Sequence, residues 1–324
     1  MTTTTSAGTA AESQTGGGKG GRTGTSPPRR GGRATGADSR FAFWLILPTM
    51  VLLGGVVGYP IVRAIVLSLY SDSITGNSEF IGLGNYLTAL VGPESGEFWS
   101  ALETTLFFTV VSVSLEVVLG MVMALVMHRA FRGRGLIRAS VLIPWAIPTA
   151  VTAVLWRWMF TPHGIVNHVL GTNIIWTGAE WPAKFAIIFS DVWKTSPFVA
   201  LLLLAGLQII PDELYDSAKV DGAGAWQRFR TITLPLVKPA LVVAVLFRML
   251  DVLRMYDVPA ILTGGANDTT TLSILVFQAA IDQTKFSYGS ALSTLTFVFI
   301  FLVAFAFVRL LGANVLDDSA RGVR

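Results

Sequence analysis

Six apolar stretches, each long enough to cross a bilayer as a helix, constrain this chain more than any other feature of its sequence. They lie near 42–69, 101–126, 137–160, 184–209, 237–262 and 289–312, and about 20 apolar residues suffice for one helical span. Only 14% of the 324 residues are charged, against roughly 25% in an ordinary soluble domain. The expected fold is an all-α membrane protein, a bundle of six transmembrane helices. The first stretch follows Arg40 and continues without a small-residue cleavage site, so it reads as a retained span rather than a signal peptide.

Residues 1–40 are dominated by Thr, Gly, Ser, Ala and Arg and cannot bury enough surface to offset their ordering entropy. They are expected to form a disordered basic cytoplasmic tail, followed by a transmembrane domain at 41–312 and a cytoplasmic C-terminal tail at 313–324. The segment GGGKGG around Lys19 superficially matches a phosphate loop. Ser13 stands where the first glycine of that motif belongs, and Gly20 replaces the Ser or Thr after the lysine, so the chain has no ATP-binding loop of its own. There are no cysteines, and His128, His163 and His168 form no metal-binding cluster; no metal site is expected.

The basic residues follow membrane topology rather than a nucleic-acid-binding surface. Segments placed inside by a cytoplasmic N-terminus hold 17 of the 24 Lys and Arg residues. Short basic flanking loops are retained on the cytoplasmic side, so both termini are expected there, in a multi-pass protein of the plasma (inner) membrane.

Between the fourth and fifth spans lies IIPDELYDSAKVDGAGAWQRFRTITLPLVKP, too polar to enter the bilayer but regularly spaced in apolar residues. It predicts a short helix, a turn and a second short helix. Leu214 and Ala218 share a face at helical spacing, Asp221 and Gly222 make the turn, and Trp226 and Phe229 give the second helix an apolar face. Arg228 and Arg230 lie where membrane lipid head groups are close. Pro235 and Pro239 are expected to separate this helix from the next span.

These residues resemble the EAA loop of ABC importer permeases: E-A-A, three residues, G, nine residues, I-x-L-P. Gly222 is followed by nine residues and then Ile232, Thr233, Leu234 and Pro235, while Asp216, Ser217 and Ala218 occupy the E-A-A positions. Asp216 keeps the charge of the usual Glu at shorter reach. The resemblance implies that 211–235 is a coupling loop, docking through Leu214, Asp216, Ser217, Ala218, Asp221, Gly222, Ile232, Leu234 and Pro235 into a separate cytoplasmic ATPase.

Four further segments, FIGLGNY at 80–86, VLIPWAIP at 141–148, DVWKTSPF at 191–198 and YDVPAILTGG at 256–265, are together similar to the carbohydrate branch of this family, the maltose and glycerol-phosphate importers and especially actinobacterial trehalose-type importers. The family implies a second permease subunit, two ATPase subunits using ATP and Mg, and an extracytoplasmic sugar-binding lipoprotein. It implies no cofactor on this chain and no catalytic residues.

Charges within the predicted spans are balanced, five of each sign: Arg63, Arg157, Lys194, Arg248 and Arg254 against Glu103, Glu116, Asp191, Asp251 and Asp257. That balance disfavours a strongly charged substrate. Arg248, Asp251, Arg254 and Asp257 recur every three residues, so consecutive members can pair along one helix. Asp251, Tyr256 and Asp257 can line a sugar path, offering carboxylates to hydroxyls and a ring to C–H surfaces; the same charges can instead be structural. Trp193 and Lys194 beside Pro197 suggest either a broken helix meeting a ligand or a kink packed on a neighbour. The cargo is read as a disaccharide, with amino sugar, glycerol phosphate or oligosaccharide as alternatives. An ion-coupled secondary transporter leaves the EAA-like loop unexplained, and an intramembrane enzyme lacks a paired acidic metal motif.

Overall fold

The computed structural model describes residues 36–72, 78–129 and 132–312. The expected tail as far as residue 35, its GGGKGG segment and the tail 313–324 lie outside the described residues. Residues 36–40, assigned to the tail from sequence, are already helical.

The described residues are helical, apart from turns, loops and an isolated bridge between Tyr70 and Phe80. Two units are separated after Gly55. The first contains α1 (Gly36–Leu53), whose described apolar side chains are almost all exposed. The second opens with α2 (Tyr59–Leu67) and α3 (Gly84–Leu90), followed by α4 (Ser95–His128), α5 (Arg134–Ala146), α6 (Thr149–Met159), α7 (Ile165–Leu170) and α8 (Glu180–Leu207). Then come α9 (Asp212–Val220), α10 (Ala225–Arg228), α11 (Leu234–Val252), α12 (Asp257–Leu262), α13 (Leu272–Phe277) and α14 (Phe286–Phe307).

Five helical stretches are long and apolar enough to cross a membrane, and the bent pair α5–α6 makes a sixth if counted as one span. The third expected span, 137–160, is therefore not a continuous helix: α5 and α6 meet at 91°. The residue before a proline is driven out of the α region, and Ile147 accordingly has ψ 133° before Pro148.

Helices α4, α8 and α11 pack together at the centre of the second unit. Glycines permit the closest approaches. A Cβ on Gly120 of α4 would lie 2.7 Å from Val199 of α8, and one on Gly206 of α8 would lie 2.6 Å from Ala240 of α11. One apolar cluster, containing Met121, Leu203 and Val237, joins these three helices towards α9; another, containing Phe108, Trp156 and Ile187, joins α4, α6 and α8.

Pro197 does not break α8, which rules out the broken helix, the first of the two alternatives raised for Trp193 and Lys194. Helix α8 runs on through Glu180–Leu207 with Pro197 buried inside it, and the Ser196 hydroxyl donates to the Val192 carbonyl at 2.6 Å beside it. Pro235 and Pro239 likewise do not separate the loop from the fifth span. From Ala225 to Val252 the chain is one helical stretch of 28 residues, interrupted only by a π-helical turn at Phe229–Thr233. Leu234 N–H reaches back to the Phe229 carbonyl, so the wider turn seats Pro235, which has no N–H to donate.

Candidate functional site

Of the ten charges expected within spans, four are buried: Glu116, Asp191, Lys194 and Arg248. Charge in an apolar interior must be paired or face a wet cavity. Arg248 of α11 donates from Nε to Glu116 Oε2 at 2.6 Å and from Nη2 to Glu116 Oε1 at 2.7 Å, a fork-to-fork contact with α4. Nη2 also donates to Asp191 Oδ2 of α8 at 3.0 Å, and Nη1 donates to Asp251. Thr195 Oγ1 lies 2.6 Å from both Glu116 Oε1 and the Asp191 carbonyl, and its single proton serves one of these two acceptors. One guanidinium thus fastens three helices where they converge. The planar fork of Arg suits such bidentate binding as a lysine would not.

The charge ladder expected at 248–257 is not one helical face. Arg248 and Asp251 do pair, but α11 ends at Val252; Arg254 N–H turns back to the Asp251 carbonyl and Met255 N–H to that of Val252. Pro259, unable to donate to a preceding turn, instead sits in the first turn of α12. Arg254 and Asp257 therefore leave the helical register, and Arg248–Asp251 is the one rung formed as an ion pair among the described residues.

Beside this network opens a cleft of about 490 Å³, lined from α5, α8, α11 and the start of α12. Lys194, Asp251, Tyr256 and Asp257 of the expected path line it, and so do Arg248 and Arg254. Trp193 does not. Its ring lies edge-on to Trp156, centroids 5.4 Å apart, in the apolar cluster, because adjacent residues on a helix point about 100° apart.

Three aromatic residues overlooked in the sequence complete the cleft: Trp145, Phe198 and Phe247. Trp145 stacks on Phe198 at 5.8 Å, and Phe198 meets Phe247 edge to face at 6.5 Å. Their union depends on the α5–α6 bend and on the approach of α8 to α11, which local sequence does not encode. Glu116 and Asp191 were visible as isolated carboxylates in apolar spans, a signal of function or of pairing. The cleft thus sets aromatic faces against a row of hydrogen-bonding groups.

At the other end of α11, Asp221 caps α9 and Gly222 turns the chain with φ +79°, inside the left-handed region that favours glycine. Leu214, Asp216 and Ser217 are exposed on α9, and Asp216 pairs with Lys219 at 2.7 Å. Ala218 and Ile232 are half-buried; Leu234 and Pro235 are exposed at the start of α11. Tyr215 Oη and Thr233 Oγ1 lie 3.1 Å apart, joining α9 to the base of α11. Trp226 is exposed and stacks on Phe229. This end presents an open, partly apolar surface, with Val220 89% exposed.

Residues 116–317 match the family described as "binding-protein-dependent transport system inner membrane component". The trehalose transport system permease protein SugA of Mycobacterium tuberculosis is 42% identical over 280 residues, covering 86% of this chain and 90% of that protein. The trehalose/maltose transport system permease protein MalF of Thermococcus litoralis is 41% identical over 271 residues, covering 81% and 90%. Among solved structures, a bacterial alginate ABC transporter in complex with an alginate pentasaccharide-bound periplasmic protein has a chain that superposes with a TM-score of 0.74 at 20% identity, covering 85% of this chain and 94% of that one. That last likeness concerns the fold alone.

Proposed function

The chain belongs to the family of binding-protein-dependent transport system inner membrane components, and from that premise we propose that it forms half of the path by which a disaccharide of the trehalose or maltose type enters the cell. The carrying observation is the cleft, where the rings of Trp145, Phe198 and Phe247 face Lys194, Asp251, Tyr256 and Asp257. Aromatic faces suit the C–H surfaces of a pyranose, while the charged and hydroxyl groups suit its hydroxyls. The names of the relatives at 41–42% identity point to the same cargo.

In this reading a second permease subunit supplies the other half of the path, and an extracytoplasmic sugar-binding protein delivers the cargo. Two separate ATPase subunits use ATP and Mg, while this chain binds no cofactor. The loop 211–235 docks in the ATPase, and nucleotide-driven closure is transmitted to the spans as rigid-body motion. Both termini face the cytoplasm.

The test is to purify the chain from native membranes in mild detergent, identify what accompanies it, and reconstitute the assembly for uptake of labelled trehalose and maltose. Recovery of an ATPase, a second permease and a sugar-binding protein, with ATP-dependent disaccharide uptake, is the expected result. Because the chain has no cysteine, a Val220→Cys variant adds a contact test: it should crosslink to the ATPase. Uptake driven by an ion gradient without ATP would refute the proposal.

A further inference from the structure

Lys194 stands apart from every other charge in the cleft. It is 8% exposed, lines the cavity, and makes no ion pair or hydrogen bond among the described residues. Its neighbours on the network are engaged elsewhere: Asp191 and Asp251 both accept from Arg248, and Arg248 gives two further donors to Glu116. Asp191, Asp251, Asp257 and Arg248 act on the Lys194 ammonium through space, without closing on it.

The Lys194 stem is buried while its ammonium opens on the cleft, offering three N–H donors to whatever enters. An anionic cargo would satisfy them, but the titratable groups lining the cleft are already balanced, with Asp191, Asp251 and Asp257 against Lys194, Arg248 and Arg254. Glu116 behind them adds a further negative charge. The cleft therefore has no net positive charge to be neutralised by an anion. An uncharged acceptor next to Lys194 suits that balance.

Resting on the disaccharide reading above, we infer that Lys194 is a substrate-positioning residue of the cleft: its ammonium donates to a hydroxyl or ring oxygen of an uncharged sugar while the aromatic rings hold the C–H face. Asp251 plays a lesser part, because its carboxylate is tied to Arg248. In a transporter supplied by a binding protein, affinity at the entrance is set by that protein, so the contribution of Lys194 belongs to acceptance into the path and to maximal rate.

The experiment compares Lys194→Met, which keeps length and removes donors, with Lys194→Gln, which keeps a neutral donor, in the reconstituted complete assembly with labelled trehalose. Lys194→Met should lower the maximal uptake rate about tenfold or more, the scale of a lost charge-assisted hydrogen bond. Lys194→Gln should recover part of that loss, with half-saturation and recovery of the assembled complex unchanged in both. The inference is overturned if Lys194→Met transports within about twofold of the unsubstituted chain. It is equally overturned if Lys194→Gln is no better than Lys194→Met, or if both variants lose the assembled complex, which would make the lysine a packing element. Failure of the unsubstituted assembly to take up any carbohydrate would instead refute the cargo reading on which the inference rests.

Discussion

Replacing Arg248 by Met removes the one cation that fastens α4, α8 and α11, and the structure ranks its cost against that of removing a partner. Glu116 and Asp191 have side-chain exposures of 0% and 8%, whereas that of Asp251 is 66%. Without Arg248 two buried carboxylates lose their counter-charge, and the Thr195 hydroxyl within reach of Glu116 is shared with the Asp191 carbonyl. Breaking a buried pair by deleting one member costs about 3–5 kcal/mol; the Asp251 contact adds little because it is solvated. At about 2–4 °C per kcal/mol for a domain of this size, the unfolding midpoint of the purified assembly should fall by about 6–20 °C. Glu116→Gln keeps the shape and leaves Arg248 with Asp191 and Asp251, so its loss should be smaller, about 1.5–3 kcal/mol. Intrinsic tryptophan fluorescence on heating measures both. A fall below about 3 °C for Arg248→Met, or a larger fall for Glu116→Gln, would refute the ranking and the compensating role of the arginine.

Gly222→Val places a β-branched residue at φ +79°, where it is strained; membrane insertion should be normal while uptake per ATP hydrolysed falls, and unchanged stoichiometry in proteoliposomes would contradict the role given to the turn. Gly120→Ala puts a Cβ 2.7 Å from Val199 Cγ1 and should destabilise the assembly by about 1–3 kcal/mol through overpacking, seen as a lower thermal midpoint. Tyr215→Phe removes the hydroxyl facing Thr233, worth about 1 kcal/mol; amide exchange across 212–220 should accelerate, with no change expected around Arg248.

The spans were legible because twenty or so apolar residues admit few alternatives, and the loop because Gly222, Ile232 and Pro235 stand at fixed spacing. What stayed hidden came from tertiary structure. Glu116 and Arg248 are 132 positions apart, and neither carries a local sign of the other. The 248–257 ladder looked helical because its spacing is helical, yet Pro259 shifts the chain into a new helix and leaves a single rung. Pro148 and Pro197 show that the same residue has opposite outcomes: the first stands where the chain turns through a right angle, whereas the second lies buried inside a continuous α8. Trp193 and Lys194, adjacent in sequence, serve core and cleft respectively because a helix turns one residue away from the next.

The helical stretch from Ala225 through its π-helical turn to Val252 also has a mechanical meaning. At 1.5 Å per residue its 28 residues form a lever arm about 42 Å long, with the proposed docking loop at its foot and Arg248 about 35 Å along it. A tilt of about 5° about the foot carries Arg248 sideways by about 3 Å, as far as its bonds to Glu116 and Asp191 are long. If the proposed docking tilts this helix while α4 and α8 stay in place, a displacement of that size separates Arg248 from Glu116 and Asp191.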